Sequence, residues 1–300
     1  KDEFAVTWLR QHYLSFIRSA IFEVTADSSI ALVFAVEEPD KTCRYFPPSA
    51  EAAIPAPNAP NPQTALPKPR REEFPEPKLS QSYTFDRFVI GRFNKIACQT
   101  AKMVAMNPGE AGFNPLFIYG GVGLGKTHLL HAIGHKLRRN HPHLNIMLIA
   151  AESFITSFVT ALLENSMNTF MQQFNNTDVL LIDDIQFLAN KKSTQEQLFH
   201  LFNTLHHQNK QIVVTSEFQP AKLVGFAERL VSRFNWGMVA DLLPPDLEDR
   251  INILKSKAEY ENTLIPEDVI NYIANNVTSN IRALEGSMIR LLSPPSVDSS

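Results

Sequence analysis

The chain has 300 residues, 44% of them hydrophobic, and a formal net charge of −3. This length suffices for one large globular domain and a smaller one, while the small negative charge excludes a strong global attraction to nucleic acid, so that any DNA contact must be local or shared between several copies. The sequence also lacks an apolar stretch long enough to span a bilayer, and its first residues lack the apolar region of a secretory signal.

The two cysteines indicate a reducing compartment. Cys43 falls in or near a predicted linker and Cys98 in a predicted helix, 55 positions further along. Because no CxxC pair exists, neither a disulfide framework nor a cysteine metal site is favoured. The pattern predicts a cytoplasmic protein.

The region 1–36 reads as one helix and one strand. Apolar residues recur every fourth position around Trp8, which predicts a helix, and Ile30–Val36 predicts a strand. Two elements are too few for an independent core, so this region is predicted to be part of a small α/β interaction domain.

The region 37–79 has a different composition. Ten of the 20 prolines of the chain fall between Pro47 and Pro77. Because proline blocks helices and removes hydrogen-bond donors, and because the segment has little to bury, it is predicted to be a disordered, extended linker.

From Ser80 onward, short apolar segments alternate with longer helical patterns. The segments are spaced by about thirty residues, which is what helical crossovers between parallel strands need. They are apolar without alternation, as expected for strands with helices on both faces of the sheet. The predicted strands are Leu116–Tyr119, Ile146–Ile149, Val179–Ile182 and Ile212–Val214.

The last part of the chain reads as helices only. Asp246–Asn276 and Ser279–Leu292 are predicted to be helical, with no strand between them. We therefore predict an α/β core over 80–242, a small helical lid over 243–292 and a disordered tail over 293–300.

The core contains a complete phosphate-loop motif, GxxxxGK[ST], between the first predicted strand and a helix predicted over His128–Arg139. Glycines let backbone N–H groups turn toward phosphates, and the helix N-terminus adds a positive dipole end. Lys126 is predicted to neutralise the β- and γ-phosphates of ATP or ADP, and the Thr127 hydroxyl to ligate Mg²⁺. The predicted loop comprises Gly120, Gly121, Val122, Gly123, Leu124, Gly125, Lys126 and Thr127.

An acidic pair follows the strand Val179–Ile182. Ligands bind at the carboxyl ends of parallel strands, so this position favours a role in the same site. Asp183 is predicted to hold Mg²⁺ through water, and Asp184 to orient or deprotonate the attacking water. Many relatives of such ATPases carry Glu at the second position, so the shorter Asp predicts slow turnover.

Several longer strings make residues 80–292 resemble the AAA+ ATPase domain of the bacterial replication initiator family DnaA. As a set these strings are specific to the family, whereas the phosphate loop alone is shared by very many NTPases. The matching strings are Asn114–Gly134, Leu180–Leu188, Phe202–Leu205, Arg229–Phe234, Pro244–Glu248 and Thr278–Gly286.

The resemblance implies further nucleotide contacts. Tyr83–Gly91 resembles the family's adenine segment, so Val89, Ile90 and His128 are expected to contact the nucleotide. Arg233 resembles the arginine finger, which reaches the γ-phosphate of a neighbouring subunit, with Arg229 as a second arginine of that interface. Arg282 resembles the lid arginine that senses ATP in the same chain.

The resemblance also implies contacts with single-stranded DNA. Glu152–Phe174 resembles the helical insertion of replication initiators, and Val159 and Lys191 lie where the family touches DNA. The alternative interpretation is that Val159 is a core residue and that Lys191 is a solvated charge. Glu217 stands where the family usually has Asp, which changes the reach of a carboxylate near the γ-phosphate.

Both ends of the sequence differ from the family pattern. The N-terminal region resembles only the second half of the family's helicase-contacting domain, so contact with the replicative helicase is not secure for this chain. The family continues into a helix-turn-helix domain that reads origin DNA, whereas this sequence stops at Ser300. We therefore expect sequence-specific duplex binding to be missing.

The function implied is a replication initiator ATPase. ATP would drive head-to-tail self-assembly on origin DNA and strand opening near the bacterial nucleoid, and hydrolysis to ADP would reverse it. One alternative is a nucleotide-dependent regulator or adaptor that never opens DNA. Another is an ATPase that resembles helicase loaders or transposition helpers.

Overall fold

A computed structural model of the protein describes residues 77–292. The predicted N-terminal helix and strand, nearly all of the predicted linker and the predicted tail lie outside these residues. The described strands are β1 (Leu116–Gly120), β2 (Ile146–Ala150), β3 (Val179–Asp183), β4 (Gln211–Ser216) and β5 (Met238–Leu242). The α-helices are α1 (Lys95–Met106), α2 (Lys126–Asn140), α3 (Ala151–Leu163), α4 (Met167–Asn175), α5 (Lys192–His207), α6 (Glu228–Phe234), α7 (Leu247–Tyr260), α8 (Glu267–Asn276) and α9 (Ile281–Leu292). Short 3-10 helices occupy Phe85–Arg87, Ala111–Phe113, Ile185–Leu188 and Pro220–Lys222.

The strands form one parallel sheet in the order β2-β3-β4-β1-β5. The predicted α/β class and parallel pairing are confirmed. Neighbouring residues of β1 face opposite layers, since Phe117 packs with α3–α6 and Ile118 packs with α1 and α2. Because helices cover both faces, the central strands can be apolar along their whole length.

The fifth strand was not predicted from the sequence. Among the described strands, β5 lies at the edge of the sheet and pairs with β1 alone, and Asp241 interrupts its apolar pattern. The main chain of β5 is nevertheless fixed by the register with β1, from Leu116 opposite Met238 to Gly120 opposite Leu242. The extended conformation of residues 238–242 is therefore determined by pairing with β1 and not by their local composition.

The lid after β5 consists of three helices, α7 to α9, around their own apolar cluster. The region 246–276, predicted to be helical, is divided into two helices, because the chain leaves the helix after Tyr260 and re-enters it at Glu267. Pro266 stands at the N-cap of α8, where its missing N–H and the clash of its ring with the preceding turn end any helix arriving from the N-terminal side. Phe93, which precedes α1, is buried in the lid cluster and so connects the lid to the core.

None of the helices within residues 77–292 combines the length and the apolar character needed to cross a membrane.

Candidate nucleotide-binding site

The phosphate loop connects β1 to α2 at the carboxyl edge of the sheet. Two of its residues, Gly123 and Gly125, have φ of 71° and 97°. This left-handed region favours glycine because a Cβ atom would clash with the backbone. A Cβ on Gly125 would also lie 3.1 Å from the Phe88 ring. The loop is therefore held in a conformation that brings main chain, rather than side chains, to the ligand.

Lys126 points into this loop and is only 6% exposed. Its Nζ donates to the carbonyl oxygens of Gly120 and Gly121, each at 2.9 Å. Burial lowers the pKa of Lys126, and the nearby carboxylates of Asp184, Glu217 and Asp183 oppose that shift. The ammonium is thus enclosed beside the glycine-rich backbone, which fits a role in neutralising phosphate oxygens.

The first carboxylate of the acidic pair, Asp183 at the end of β3, accepts hydrogen bonds from the phosphate loop and from β4. The Thr127 hydroxyl donates to Asp183 Oδ2 at 2.9 Å, and the Thr215 hydroxyl donates to Asp183 Oδ1. Burial raises the pKa of Asp183, while the hydrogen bond from Thr215 opposes the shift. A buried carboxylate with raised pKa would be stabilised in its charged form by a cation.

The oxygen atoms of Thr127 and Asp183 fit Mg²⁺. Mg²⁺ prefers hard oxygen ligands and is usually held by one or two carboxylates together with substrate phosphates, rather than by a cage of protein side chains. Accordingly, no group of three or more His, Cys, Asp or Glu side chains that could hold a metal ion occurs within residues 77–292.

The second carboxylate lies on a strained turn. Asp184 has φ of 54° and ψ of 56°, and its N–H donates to the Thr215 hydroxyl at 2.9 Å. Gln186 Nε2 donates to Asp184 Oδ1 at 3.0 Å, and Gln186 Oε1 accepts from the Glu217 N–H at 3.2 Å. The Gln186 amide therefore joins the ends of β3 and β4 and orients Asp184 relative to Glu217.

Thr215 and Gln186 were missed as site residues in the sequence. Thr215 is fully buried in β4, and the signal that could have identified it is a polar residue directly after the apolar run Ile212–Val214, at the carboxyl end of the strand. Gln186 follows the acidic pair by two positions, but nothing in its own residue type indicates that it reaches another strand.

The predicted adenine segment packs against the first turn of α2. Tyr83 stacks on the His128 ring at 4.9 Å between centroids, and Phe88 meets the same ring edge-on at 5.1 Å. His128 Nε2 is hydrogen-bonded to Thr84 O at 2.8 Å, and burial lowers the pKa of His128. The ring is thus occupied by these contacts, so a nucleotide contact from His128 would come from its main chain.

The other two predicted adenine residues lie where core and lid meet. Val89 packs against the lid cluster, whereas the Ile90 side chain is 47% exposed. Asn94 fixes this segment, because its side chain accepts from Gly91 N–H at 3.0 Å and donates to Val89 O at 2.9 Å. A base lying here would contact both the core and the lid.

The lid reaches the phosphate loop through the start of α9. The Arg282 N–H donates to Gly123 O at 3.3 Å, and the Arg282 side chain is exposed. Asn280 caps the helix by accepting from the Ala283 N–H at 2.8 Å. The structure therefore brings Arg282 to the loop of its own chain, together with Asn280, which the sequence analysis did not single out.

Replacing Gly123 by alanine tests this junction. The new Cβ would lie 2.8 Å from Asn280 Oδ1 in a backbone of positive φ, so we expect a loss of about 1–3 kcal/mol in folding free energy and weaker nucleotide binding as the lid shifts. Thermal unfolding and nucleotide titration measure the two effects. Gly112→Ala is the matched control, because nothing lies within 4 Å of its Cβ position. Equal behaviour of the two variants would contradict a tight lid–loop contact.

Arg233 is not brought to the phosphate loop of its own chain. It lies near the end of α6, shortly before Met238 of β5, which pairs with Leu116, the first residue of β1. The phosphate loop follows the last residue of β1, about 13 Å further along the strand at about 3.3 Å per residue. Arg233 therefore lies near the amino edge of the sheet, on the opposite side from the loop.

Arg229 lies one helical turn before Arg233 on α6. Its Nη2 donates to Glu196 Oε1 at 3.1 Å, and both side chains are about half exposed, at 50% and 57%. Its guanidinium carbon is also 4.9 Å from the Phe199 ring centroid. Arg229 is thus already paired with a carboxylate of its own chain, whereas Arg233 has no carboxylate partner among the described residues.

The two predicted DNA contacts are exposed. Val159 lies on α3 with 44% of its surface accessible, so the alternative interpretation of Val159 as a core residue is wrong. Lys191 is exposed at the N-cap of α5. Neither residue belongs to the network around the phosphate loop.

The sheet order, the loop after β1, the acidic pair after β3 and the helical lid are those of AAA+ ATPases among the P-loop NTPases. In fold alone, the chain is similar to RuvB of Thermotoga maritima, with a TM-score of 0.50 at 20% identity over 70% of this chain and 66% of that chain. Residues 79–241 match the family described as the bacterial DnaA ATPase domain. The chain belongs to the bacterial DnaA family.

Solved DnaA structures agree with this assignment. The chain is 48% identical to domain III of the replication initiation protein DnaA from Thermotoga maritima, covering 71% of this chain and 89% of that chain with a TM-score of 0.69. It is 37% identical to AMPPCP-bound DnaA from Aquifex aeolicus (TM-score 0.67) and 36% identical to a replication initiator DnaA bound to AMPPCP and single-stranded DNA (TM-score 0.68). Each of the latter matches covers 72% of this chain but 66% of the other.

Proposed function

We propose that this protein is a replication initiator ATPase in which bound ATP drives head-to-tail assembly on DNA. The observation that carries the proposal is the placement of two half-sites on opposite edges of one sheet. The phosphate loop and acidic pair occupy the carboxyl edge, while Arg233 lies near the amino edge. A chain with this layout completes its site only with a second copy, and the repeated contact extends into a filament.

Within one subunit, each site residue has a task that its geometry supports. Lys126 and the loop N–H groups bind the β- and γ-phosphates, and Thr127 with Asp183 holds Mg²⁺. When bound, Mg²⁺ would neutralise charge on the phosphate oxygens. Asp184, oriented by Gln186, positions or deprotonates the attacking water.

The remaining contacts link hydrolysis to assembly. Arg233 of a neighbouring subunit would fork onto the γ-phosphate, and Arg282 would sense the same group from the lid. Loss of the γ-phosphate would remove both contacts and weaken the filament. Gln186 holds the main chain of Glu217 near Asp184. The Glu217 carboxylate, which is longer than the usual Asp, would therefore reach toward the γ-phosphate from the end of β4.

Single-stranded DNA is the proposed partner of the assembled form. A related DnaA has been solved bound to AMPPCP and single-stranded DNA, and Val159 and Lys191 are exposed here. With a net charge of −3, one copy would hold DNA weakly, and repeated copies would sum their contacts. Opening of origin DNA in the bacterial cytoplasm, near the nucleoid, would follow from this preference for single strands.

The test is the mass of the protein in solution with single-stranded DNA, in ATP and in ADP. We expect large assemblies only with ATP and their loss in Arg233→Ala, which should still bind ATP because Arg233 is remote from its own loop. Arg139→Ala, which removes an exposed arginine at the end of α2, is the control. A monomer in both nucleotides would contradict the proposal and favour the regulator or adaptor function.

A further inference from the structure

Two aromatic rings, Phe199 and Trp236, form a cradle around Arg233. The guanidinium carbon lies 3.5 Å from the centroid of Trp236 and 5.4 Å from that of Phe199. We infer that Trp236 is a positioning residue, which holds the Arg233 guanidinium ready for the phosphate of a neighbouring subunit. This inference rests on the proposed role of Arg233 as the arginine finger.

The hydrogen-bonding state of Arg233 argues that it is kept for an external partner. Its Nε is buried without a hydrogen-bond partner, and no ion pair involves its guanidinium within residues 77–292. An unpaired buried donor is costly, so it needs a compensating reason. The Glu196 carboxylate is bonded to Arg229 instead.

Aromatic stacking suits this task better than a salt bridge does. A ring binds the face of a guanidinium through its quadrupole and leaves the N–H groups in the guanidinium plane free. A carboxylate would instead occupy those N–H groups and neutralise the charge. Trp236 therefore restricts the side chain without using the atoms that must fork onto phosphate.

The cradle is itself fixed to the core. Trp236 meets His206 edge-on at 5.0 Å, and the His206 ring stacks on Phe202 at 6.0 Å. The turn after Trp236 is tight, because a Cβ on Gly237 would lie 2.2 Å from Pro115 O. The Trp236 ring is thus held in a fixed position next to the start of β1, although 47% of the residue's surface is exposed.

The inference is tested by supplying the finger and the phosphate site on different subunits. The acceptor subunit carries Arg233→Ala, so it keeps its phosphate loop but offers no finger. The donor subunit carries Lys126→Ala, so it keeps its finger but binds nucleotide about 100-fold more weakly, and ATP is used at a concentration that leaves its site mostly empty. ATP turnover by the mixture, with single-stranded DNA present, reports the finger of the donor acting on the site of the acceptor.

We expect Trp236→Ala in the donor to lower this turnover by about tenfold, which lies between the value of an exposed and that of a desolvated cation–π contact. Trp236→Phe should restore most of it. In a chain with an intact loop, Trp236→Ala should leave ATP affinity unchanged, a result that a general loss of structure would not give. In a donor that also carries Arg233→Ala, the tryptophan substitution should have no further effect.

The outcomes separate this inference from the proposed function. A donor with Arg233→Ala that still stimulates the acceptor would overturn the finger assignment itself. The positioning role alone would be overturned if two results were found together. The donor with Trp236→Ala would stimulate the acceptor as well as the donor with Trp236 intact, and the Arg233→Ala donor would be inactive. Loss of thermal stability in Trp236→Ala together with loss of ATP affinity would also count against positioning.

Discussion

Lys126→Ala is expected to lower the affinity for ATP and ADP by about 100-fold, the value of one strong charge-assisted contact with phosphate. The ammonium is enclosed by the loop at 2.9 Å from the Gly120 and Gly121 oxygens. Phosphate oxygens entering the loop would meet this charge in surroundings where water screens it little. Alanine leaves the backbone donors in place but removes the only cation of the loop itself.

Thermal unfolding with and without ADP measures the loss. Ligand at about 100 times its Kd stabilises the folded state by about 2.7 kcal/mol, and this gain should fall to about 0.4 kcal/mol for the variant at the same concentration. Without ligand, the midpoint should change little, because the two lost hydrogen bonds are offset by removal of a buried charge whose pKa is lowered by burial.

Lys136→Ala is the matched control for Lys126→Ala. Lys136 lies on the same helix, α2, but ten positions away and outside the loop contacts. It should retain the full stabilisation by ADP. If Lys126→Ala also retained it, the phosphate loop would not be the nucleotide site of this protein.

The parts of the site that the sequence predicted are local in the chain. Gly120 to Thr127 is one continuous stretch whose glycines, lysine and threonine act through neighbouring backbone, so spacing alone determines the geometry. The four predicted strands likewise carry their own signal in continuous apolar residues. In the structure, three of these strands are longer by one residue and β4 is longer by three, because parallel pairing continues past the apolar residues at the strand ends.

The parts that the sequence did not predict depend on pairing between distant segments. Gln186 bridges Asp184 and Glu217 only because β3 and β4 are neighbours in the sheet. A role for Arg282 at the nucleotide was implied by the resemblance alone, and its contact with the phosphate loop exists only because the lid folds back over the loop. The position of Arg233 near the amino edge follows from the pairing of β5, the strand that the local pattern missed. Such contacts are decided by tertiary packing, which a single sequence does not encode locally.

Asp183→Asn is expected to lower ATP turnover by about 10–100-fold, the usual cost of disturbing the surroundings of a metal ion. An amide has the size of the carboxylate and can keep its place between Thr127 and Thr215 because a threonine hydroxyl can donate or accept. It lacks the negative charge that attracts Mg²⁺. Nucleotide binding through Lys126 should persist, so turnover should fall more than affinity, as measured by steady-state kinetics and titration at several Mg²⁺ concentrations.

The same substitution is expected to stabilise the protein at neutral pH when Mg²⁺ and nucleotide are absent. Burial raises the pKa of Asp183, so the folded state binds this proton more tightly than the unfolded state does. Stability is then lost as the pH rises from the ordinary pKa of the carboxyl group through its raised value in the folded state. Asparagine does not titrate, so the advantage of the variant should grow across that window and disappear at lower pH.

Unfolding midpoints in EDTA between pH 3 and 8 give the comparison. Asp178→Asn is the control, because Asp178 accepts a hydrogen bond from the Asn145 N–H on the far edge of the sheet. A variant that is less stable than the wild type at neutral pH would show that the two threonine hydrogen bonds outweigh the cost of the buried charge, and that the site is not strained toward a cation.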